Sequence, residues 1–329
     1  MGEAPLDLSI ITVVYDEATV KAADGLLKSV FRSHFDGLFE MILVSNGAPD
    51  DVLRPISDGY DWLRILRSDR NLGYAGGNNW GMLRSRGRLV LLLNPDIVVE
   101  PDALARLVEF VDSHPDIAGA TGKLLGDDGK VQVGFNVRGL PTFMAVVFDA
   151  LLFHRAFAWT GLFRHYLGRD FDYSKAQRAE QPAGACLLVR REIIDQVGVM
   201  DESFFPVWYE DVDWCMRMRS YQRELWFTPD AVFHHSGAVS TKDWTKDSAT
   251  LAKYRNFAYF CKKHFGGPLS ILVIISIAIG MLLRSGFVLL GMLLRKDLSK
   301  SVKNFGVGGS RAALKGYMKV LWLCVRAKL

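Results

Sequence analysis

The stretch Leu89-Val90-Leu91-Leu92-Leu93-Asn94-Pro95-Asp96-Ile97-Val98-Val99 sets two apolar runs on either side of a tripeptide that carries a single acid. Five apolar residues bounded by turn chemistry read as a central strand of a parallel sheet, buried on both faces. Open α/β sheets bind ligands in the crevice at the carboxyl ends of their strands. Asp96 therefore stands where such a fold holds a metal or a phosphate group. Asn-Pro-Asp is also ordinary turn chemistry, so the meaning of the tripeptide depends on what surrounds it.

Upstream, residues 8–15 read as a strand, 19–34 as a helix, 39–44 and 63–67 as strands, 77–86 as a helix and 89–93 as the central strand. This rhythm builds a parallel sheet with helices on both faces. Its ligand edge gathers residues 12–15, the triplet Ser45-Asn46-Gly47, the loop 69–79 and Asn94-Pro95-Asp96. Downstream, 101–113 reads as a helix opened by Pro101. A Pro-Ala-Gly-Ala turn then leads into an apolar strand within 181–189, and 191–197 forms a short helix. Residues 143–163 are rich in aromatics without a clear period, and are compatible with a lid, an acceptor wall or a membrane-facing patch.

With 329 residues, half of them apolar, the chain can bury a large core, as one domain with an appendage. Cys186, Cys215, Cys261 and Cys324 are scattered, with neither zinc-like spacing nor a disulfide framework, which fits a reducing cytosolic setting. Residues 1–7 are polar and lack an export pattern. The net charge of +4 is uneven: beyond residue 294 nine basic residues face the single acid Asp297. Just before them, residues 269–294 are apolar except for Ser270, Ser276, Arg284 and Ser285. An apolar segment beside basic residues suits an interfacial helix with its cations at anionic head groups. The unbroken part, 269–283, is shorter than the roughly twenty residues of a span, so two short helices meeting near 284–286 are expected. The composition shift at 266–268 divides the chain into 1–265 and 266–329, the latter a membrane-association region by its apolar and basic composition. The aromatics of the basic tail sit among Val320, Leu321, Leu323 and Val325, too apolar for a solvated nucleic-acid face.

Three further patterns carry chemistry. The loop Asn71-Leu72-Gly73-Tyr74-Ala75-Gly76-Gly77-Asn78-Asn79 puts three glycines before a helix, where backbone can approach an anion. Its spacing is neither that of the dinucleotide fingerprint nor that of a triphosphatase loop, and a plain turn is equally compatible. Glu210, Asp211 and Asp213 follow the apolar stretch 204–208, where desolvation makes a carboxylate a better base; acids at a helix start also simply complement its dipole. His234 and His235 point to opposite sides of a strand, so at most one can join Asp96 on a metal.

Taken in order, Thr12-Val13-Val14-Tyr15, Ser45-Asn46-Gly47, the 71–79 loop, Asn94-Pro95-Asp96, Glu210-Asp211-Val212-Asp213 and His235 with Ser240 resemble family 2 glycosyltransferases of the GT-A fold. The likeness is greatest to the rhamnosyltransferase-like branch that builds bacterial cell-surface polysaccharide, and covers about residues 8–260. The resemblance implies a GT-A (Rossmann-like) mixed α/β sheet flanked by helices and makes 1–265 the catalytic domain; the C-terminal membrane-associated helices are expected from the apolar and basic composition of 266–329. It makes Asp211 the catalytic base, and Asp96, with His235, the ligands of Mg²⁺ or Mn²⁺. It assigns substrate contacts to Thr12, Val14, Tyr15, Ser45, Asn46, Asn71, Gly73, Tyr74, Ala75, Gly76, Asn78, Asn94, Trp208 and Glu210. Two departures stand out: Asn94 replaces the first acid of the family's Asp-X-Asp motif, and Ser45 stands where an acid often helps hold the nucleotide base.

The implied reaction is a single inverting displacement, with dTDP-L-rhamnose as donor and a polyprenyl-diphosphate-linked sugar such as N-acetylglucosamine as acceptor. UDP-sugar transfer of galactofuranose or glucose fits the same residues. The different-class alternative is a catalytically silent nucleotide-sugar-binding membrane scaffold, against which the retained Asp211 argues. The expected partners are the nucleotide-sugar donor, the lipid-linked acceptor and a membrane surface, with no nucleic acid; a homo-oligomer is compatible. The expected location is the cytoplasmic face of the bacterial inner membrane, peripheral or monotopic. A processive synthase is disfavoured, because only Gln222-Arg223-Glu224-Leu225-Trp226 stands in for its Gln-X-X-Arg-Trp signature.

Overall fold

Every residue from Leu89 to Leu93 is buried in the computed structural model, as a run apolar on both faces of a strand requires. The structure describes residues 6–153, 157, 159–237, 246–293 and 310–325. The strands are Leu6–Val14 (β1), Phe39–Asn46 (β2), Leu63–Ser68 (β3), Gly87–Leu93 (β4), Ile97–Val99 (β5), Gly119–Leu125 (β6), Val137–Arg138 (β7), Gln177–Arg178 (β8), Gln181–Pro182 (β9), Cys186–Arg190 (β10) and Leu225–His235 (β11). Among the described residues nine of them form one sheet in the order β3-β2-β1-β4-β10-β6-β11-β5, with β8 on β11, while β7 pairs with β9. The first four strands run parallel, as their alternation with helices predicts. Beyond β4 the sheet becomes mixed: β10 inserts antiparallel between β4 and β6, and β5 pairs antiparallel with β11.

That insertion positions the site. Because β10 runs against β4, the start of β10 lies beside the carboxyl end of β4, with Cys186 opposite Leu93 and the Asn94 N–H donating to the Ala185 carbonyl at 2.9 Å. The end of β11 is brought to the same edge, with His235 opposite Ile97. On one face, the helices Glu17–Phe31 (α1), Asp50–Ser57 (α2) and Ala103–Asp112 (α4) pack Leu26, Leu27, Leu53 and Leu107 against Leu8, Ile10, Leu43 and Leu91. The capping box of Asp16 and Thr19 starts α1, each side chain bonding the other's backbone N–H.

The helix expected over 77–86 is Gly73–Met82 (α3), four residues earlier. Its glycines explain the shift. A Cβ at Gly77 would stand 2.7 Å from Val13 Cγ1, and one at Gly81 2.6 Å from Ile11 Cγ2, so both lie pressed against β1. These glycines serve close helix–strand packing, which a local sequence pattern does not distinguish from an anion loop.

The chain divides into two compact units, the first comprising Met1–Leu140, Leu167–Glu202 and Glu210–Val239, the second Pro141–Tyr166, Ser203–Tyr209 and Ser240–Leu329. Within the second unit are the helices Phe143–Ala150 (α5), Gly161–Tyr166 (α6), Lys246–Phe265 (α9), Gly267–Leu293 (α10) and Ser310–Val325 (α11). The aromatic region 143–163 holds the helix Phe143–Ala150 and the start of Gly161–Tyr166, and the joint at 266 separates two helices of this unit. The two short helices expected to meet near 284–286 are one continuous helix, α10. Arg284 does not break it, because the side chain turns inward: it is 4% exposed, and its Nη1 donates to the Ala150 carbonyl at 2.9 Å. Its guanidinium also lies 5.7 Å from the Tyr254 ring centre. Val273, Ile277, Met281 and Val288 are buried beside it, whereas Ile271, Leu272, Ile275, Ile279, Leu282 and Phe287 are exposed. Residues 267–290 are, by length and composition, apolar enough to cross a membrane.

Candidate active site

At the carboxyl end of β2, Asn46 is fully engaged in holding the glycine-rich segment. Its Nδ2 donates to Asn71 Oδ1 and to the Gly73 carbonyl, and its Oδ1 accepts the Leu72 N–H at 2.7 Å. Asn71 Oδ1 in turn accepts the Gly73 N–H at 2.8 Å. Asn46 and Asn71 therefore fix the entry to α3, and Gly73 adopts a φ of +75° there. Asn78 donates to the Tyr74 carbonyl, and Ala75 and Gly76 are buried in the first turns of the helix. Thr12 and Val14 are buried in β1, so a ligand would meet the main chain at Val14, whose side chain lies in the core. The Tyr15 N–H donates to Thr19 Oγ1. A cleft of about 370 Å³ opens beside these strand ends, lined by Ser45, Gly47, Asp50, Arg67 and Asp69 among others.

The turn 183–185 joins residues distant in sequence. The Tyr74 hydroxyl donates to the Gly184 carbonyl at 2.7 Å, the Gly184 N–H donates to Asp211 Oδ2 at 3.1 Å, and the Ala185 carbonyl holds Asn94. Asp211 lies in the first turn of the helix Glu210–Ser220 (α8), and its Oδ1 accepts the Val212 N–H at 2.8 Å. Burial raises its carboxyl above the ordinary range, against the lowering effect of those amides and of the Arg138 guanidinium. Burial, then the charges of Asp211 and Glu210, push the Tyr74 phenol well up, so it remains a donor. Of the three acids in this segment, Glu210 is buried, and Asp213 is fully buried and paired with Arg217 at 2.9 Å. Asp211 is the one held by backbone amides at the 183–185 turn. Trp208 belongs to the second unit, where it and Tyr209 take positive φ values of 82° and 77°.

The two histidines diverge as strand geometry requires. His234 is half-exposed and reaches Glu100 at 3.0 Å. His235 is buried, with Nε2 3.5 Å from Asp96 Oδ1. Burial holds its imidazole toward the neutral form, against the charge of Asp96, so this is not an ion pair at neutral pH. Asp96 is 7% exposed, and its Oδ1 is buried with no hydrogen-bond donor among the described residues. A carboxylate oxygen without a donor among the described residues, beside an imidazole nitrogen, suits a cation; the oxygen fits Mg²⁺ or Mn²⁺, and the nitrogen favours the softer Mn²⁺ over Mg²⁺. Among the described residues no group of three or more His, Cys, Asp or Glu is arranged to hold a metal. Asp96 and His235 are the two side chains at this point whose chemistry fits a cation, and Asn94 is not an acid. Ser240 lies outside the described residues.

Sequence reasoning did not single out Gly184, Arg138, Gln132 or Phe135. The Pro-Ala-Gly-Ala turn was a usable signal for Gly184: a Cβ there would stand 3.0 Å from the Tyr74 hydroxyl and 3.3 Å from Asp211 Cβ. Nothing local marks Gln132, whose amide meets His235 across 103 positions of chain.

The profile of glycosyl transferase family 2 matches residues 9–198. The chain is 30% identical over 271 residues to the uncharacterized protein y4gI of Sinorhizobium fredii, covering 80% of this chain but only 28% of that protein. It is 27% identical over 246 residues to the N-acetylglucosaminyl-diphospho-decaprenol L-rhamnosyltransferase of Mycobacterium tuberculosis, covering 69% of this chain and 76% of that one. The crystal structure of GalNAc-T7 with UDP, GalNAc and Mn²⁺ superposes with a TM-score of 0.57 at 15% identity, over 79% of this chain and 48% of that one, a likeness of fold. A mixed sheet with its strand ends gathered around Asp96 and Asp211, matched over more than half its length by one family, leads to one assignment: the chain belongs to glycosyl transferase family 2, with the GT-A fold and a rhamnosyltransferase-like sequence.

Proposed function

We propose that this glycosyltransferase works by inversion, with Asp211 as the base. The acceptor hydroxyl gives its proton to the Asp211 carboxylate as its oxygen attacks the anomeric carbon. The bond from that carbon to the donor phosphate breaks, and the nucleoside diphosphate leaves with the electron pair. The supporting observation is the hydrogen-bonded turn 183–185, which ties the carboxylate of Asp211, the Tyr74 hydroxyl and the Asn94 main chain to one sheet edge. Amides of Gly184 and Val212 orient the carboxylate, while burial keeps it basic. Asp96 and His235 would hold a divalent cation, Mg²⁺ or Mn²⁺, which when bound neutralises charge on the leaving diphosphate. The cleft at Ser45 and Asp69 is of a size for a nucleobase.

The donor and acceptor are proposed from the rhamnosyltransferase relative: L-rhamnose from dTDP-L-rhamnose, onto a polyprenyl-diphosphate-linked N-acetylglucosamine. An apolar acceptor lipid agrees with the exposed apolar face of α10, which suits residence at a membrane surface, proposed here as the cytoplasmic face of the inner membrane. The test is nucleoside diphosphate release from dTDP-L-rhamnose, UDP-galactofuranose and UDP-glucose, each with the polyprenyl-diphosphate acceptor. Release from dTDP-L-rhamnose alone is expected. Release from a UDP-sugar alone would replace the donor, and release from none of them would overturn the proposed transfer to this acceptor.

A further inference from the structure

Gln132 follows the bridge between Leu125 and Val131, and its main chain is fixed at both ends. Its N–H donates to the Leu124 carbonyl at 3.0 Å, and its carbonyl accepts from Phe135 and Asn136. Its side chain makes two contacts with one residue. Nε2 donates to the His235 carbonyl at 2.8 Å, and Oε1 lies 2.8 Å from His235 Nδ1. A carbonyl can only accept, so the amide nitrogen must face it and the amide oxygen must face the ring. That oxygen also only accepts, so Nδ1 must carry the ring proton. A neutral imidazole has one N–H, which leaves a lone pair on Nε2, 3.5 Å from Asp96 Oδ1, which has no hydrogen-bond donor among the described residues. The Phe135 ring stacks on the imidazole at 4.9 Å between centres and 13° between planes, which opposes rotation of the ring.

The alternative tautomer shows why this arrangement matters. With the proton on Nε2, His235 could donate to Asp96 Oδ1, and the two residues would satisfy each other. Such a pair has no need of a cation. With the proton on Nδ1, two lone pairs face each other in a buried place, which a divalent cation relieves. We propose that Gln132 is a positioning residue that sets the tautomer of His235, so that Asp96 and His235 present lone pairs to a divalent cation instead of a hydrogen bond to each other. This rests on the reading of Asp96 and His235 as the metal pair.

The test is Mn²⁺ binding to the full chain, followed by loss of the free Mn²⁺ electron paramagnetic resonance signal, alone and with UDP or dTDP. Gln132→Leu should weaken Mn²⁺ binding by about 10–100-fold. Gln132→Glu keeps an acceptor at Nδ1 while giving up the donor to the His235 carbonyl, and should bind Mn²⁺ close to the wild type. Nitrogen-15 imidazole spectra of the metal-free proteins should place the His235 proton on Nδ1 in the wild type and the Glu variant, and on Nε2 in the Leu variant. Equal losses in both variants would overturn the proposal, since Gln132 would then act only through the His235 carbonyl. Wild-type binding by Gln132→Leu, alongside losses in Asp96→Ala and His235→Ala, would overturn the role of Gln132 and leave the metal pair standing. Wild-type binding by Asp96→Ala and His235→Ala, or no binding by the wild type, would remove the metal pair and the inference with it.

Discussion

Asp211 is distinguished from its neighbours by its partners. Asp213 is committed to Arg217, and Glu210 is buried, whereas the Asp211 carboxylate is held by backbone amides, among them those of Gly184 and Val212. Replacing it by Asn keeps the size and removes the basicity, so Asp211→Asn should lower kcat by about 10²–10⁴-fold and leave nucleoside diphosphate affinity unchanged. Near wild-type turnover would remove Asp211 as the base. Burial raises the Asp211 carboxyl, so activity should fall on acidification at a pH above the ordinary carboxylate value of about 3.9. The sign follows from the role: below its pKa the carboxyl is already protonated and cannot accept the acceptor's proton. A pH profile of kcat/KM whose acid limb lies at or below that value would contradict the environment described for it. At this level the sequence was legible for residue types, since an acid after an apolar wall and an acid after an apolar strand are local signals. It was silent on Gln132, whose role depends on a partner 103 positions away.

The helix Gly73–Met82 shows how one local pattern can serve two purposes. Its glycines suggest an anion loop, yet Gly77 and Gly81 are where the helix presses on Val13 and Ile11. Gly77→Ala should therefore destabilise the fold by about 1–3 kcal/mol, as overpacking does, read as a lower midpoint in urea. Gly161→Ala, at a helix start where an added Cβ meets nothing within 4 Å, is the control and should leave the midpoint unchanged or slightly raised. If both variants unfolded at the wild-type midpoint, the close packing of this helix would not be what its glycines serve. Helix Gly267–Leu293 carries the complementary lesson. Arg284 and Ser285 looked like a break because a charge in an apolar run is costly unless paired. The Ala150 carbonyl and the Tyr254 ring supply that pairing from elsewhere in the same unit, and the helix continues.

In the molecule as a whole, one face of that helix departs from the usual relation of burial to polarity: Leu272, Ile275 and Ile279 are exposed, while Arg284 and the serines 270, 276 and 285 are buried with Val273, Ile277 and Met281. If this face meets lipid, the protein should float with vesicles containing phosphatidylglycerol. The triple variant Leu272→Glu, Ile275→Glu and Ile279→Glu should not, with an unchanged circular dichroism spectrum because those side chains are already exposed. Flotation of the triple variant would exclude this face as the membrane contact. The amino-acid sequence alone determined the parallel half of the sheet, its ligand edge, and Asp96 and Asp211 as the acids to watch. Strand period, apolar runs and turn chemistry act between near neighbours, so they are visible in one dimension. Only the tertiary structure decided that β10 enters antiparallel beside β4, that His235 rather than His234 faces Asp96, and that Gly184 and Gln132 hydrogen-bond Asp211 and His235. These depend on the register between distant segments, where moving a strand by one residue would turn each side chain to the opposite face.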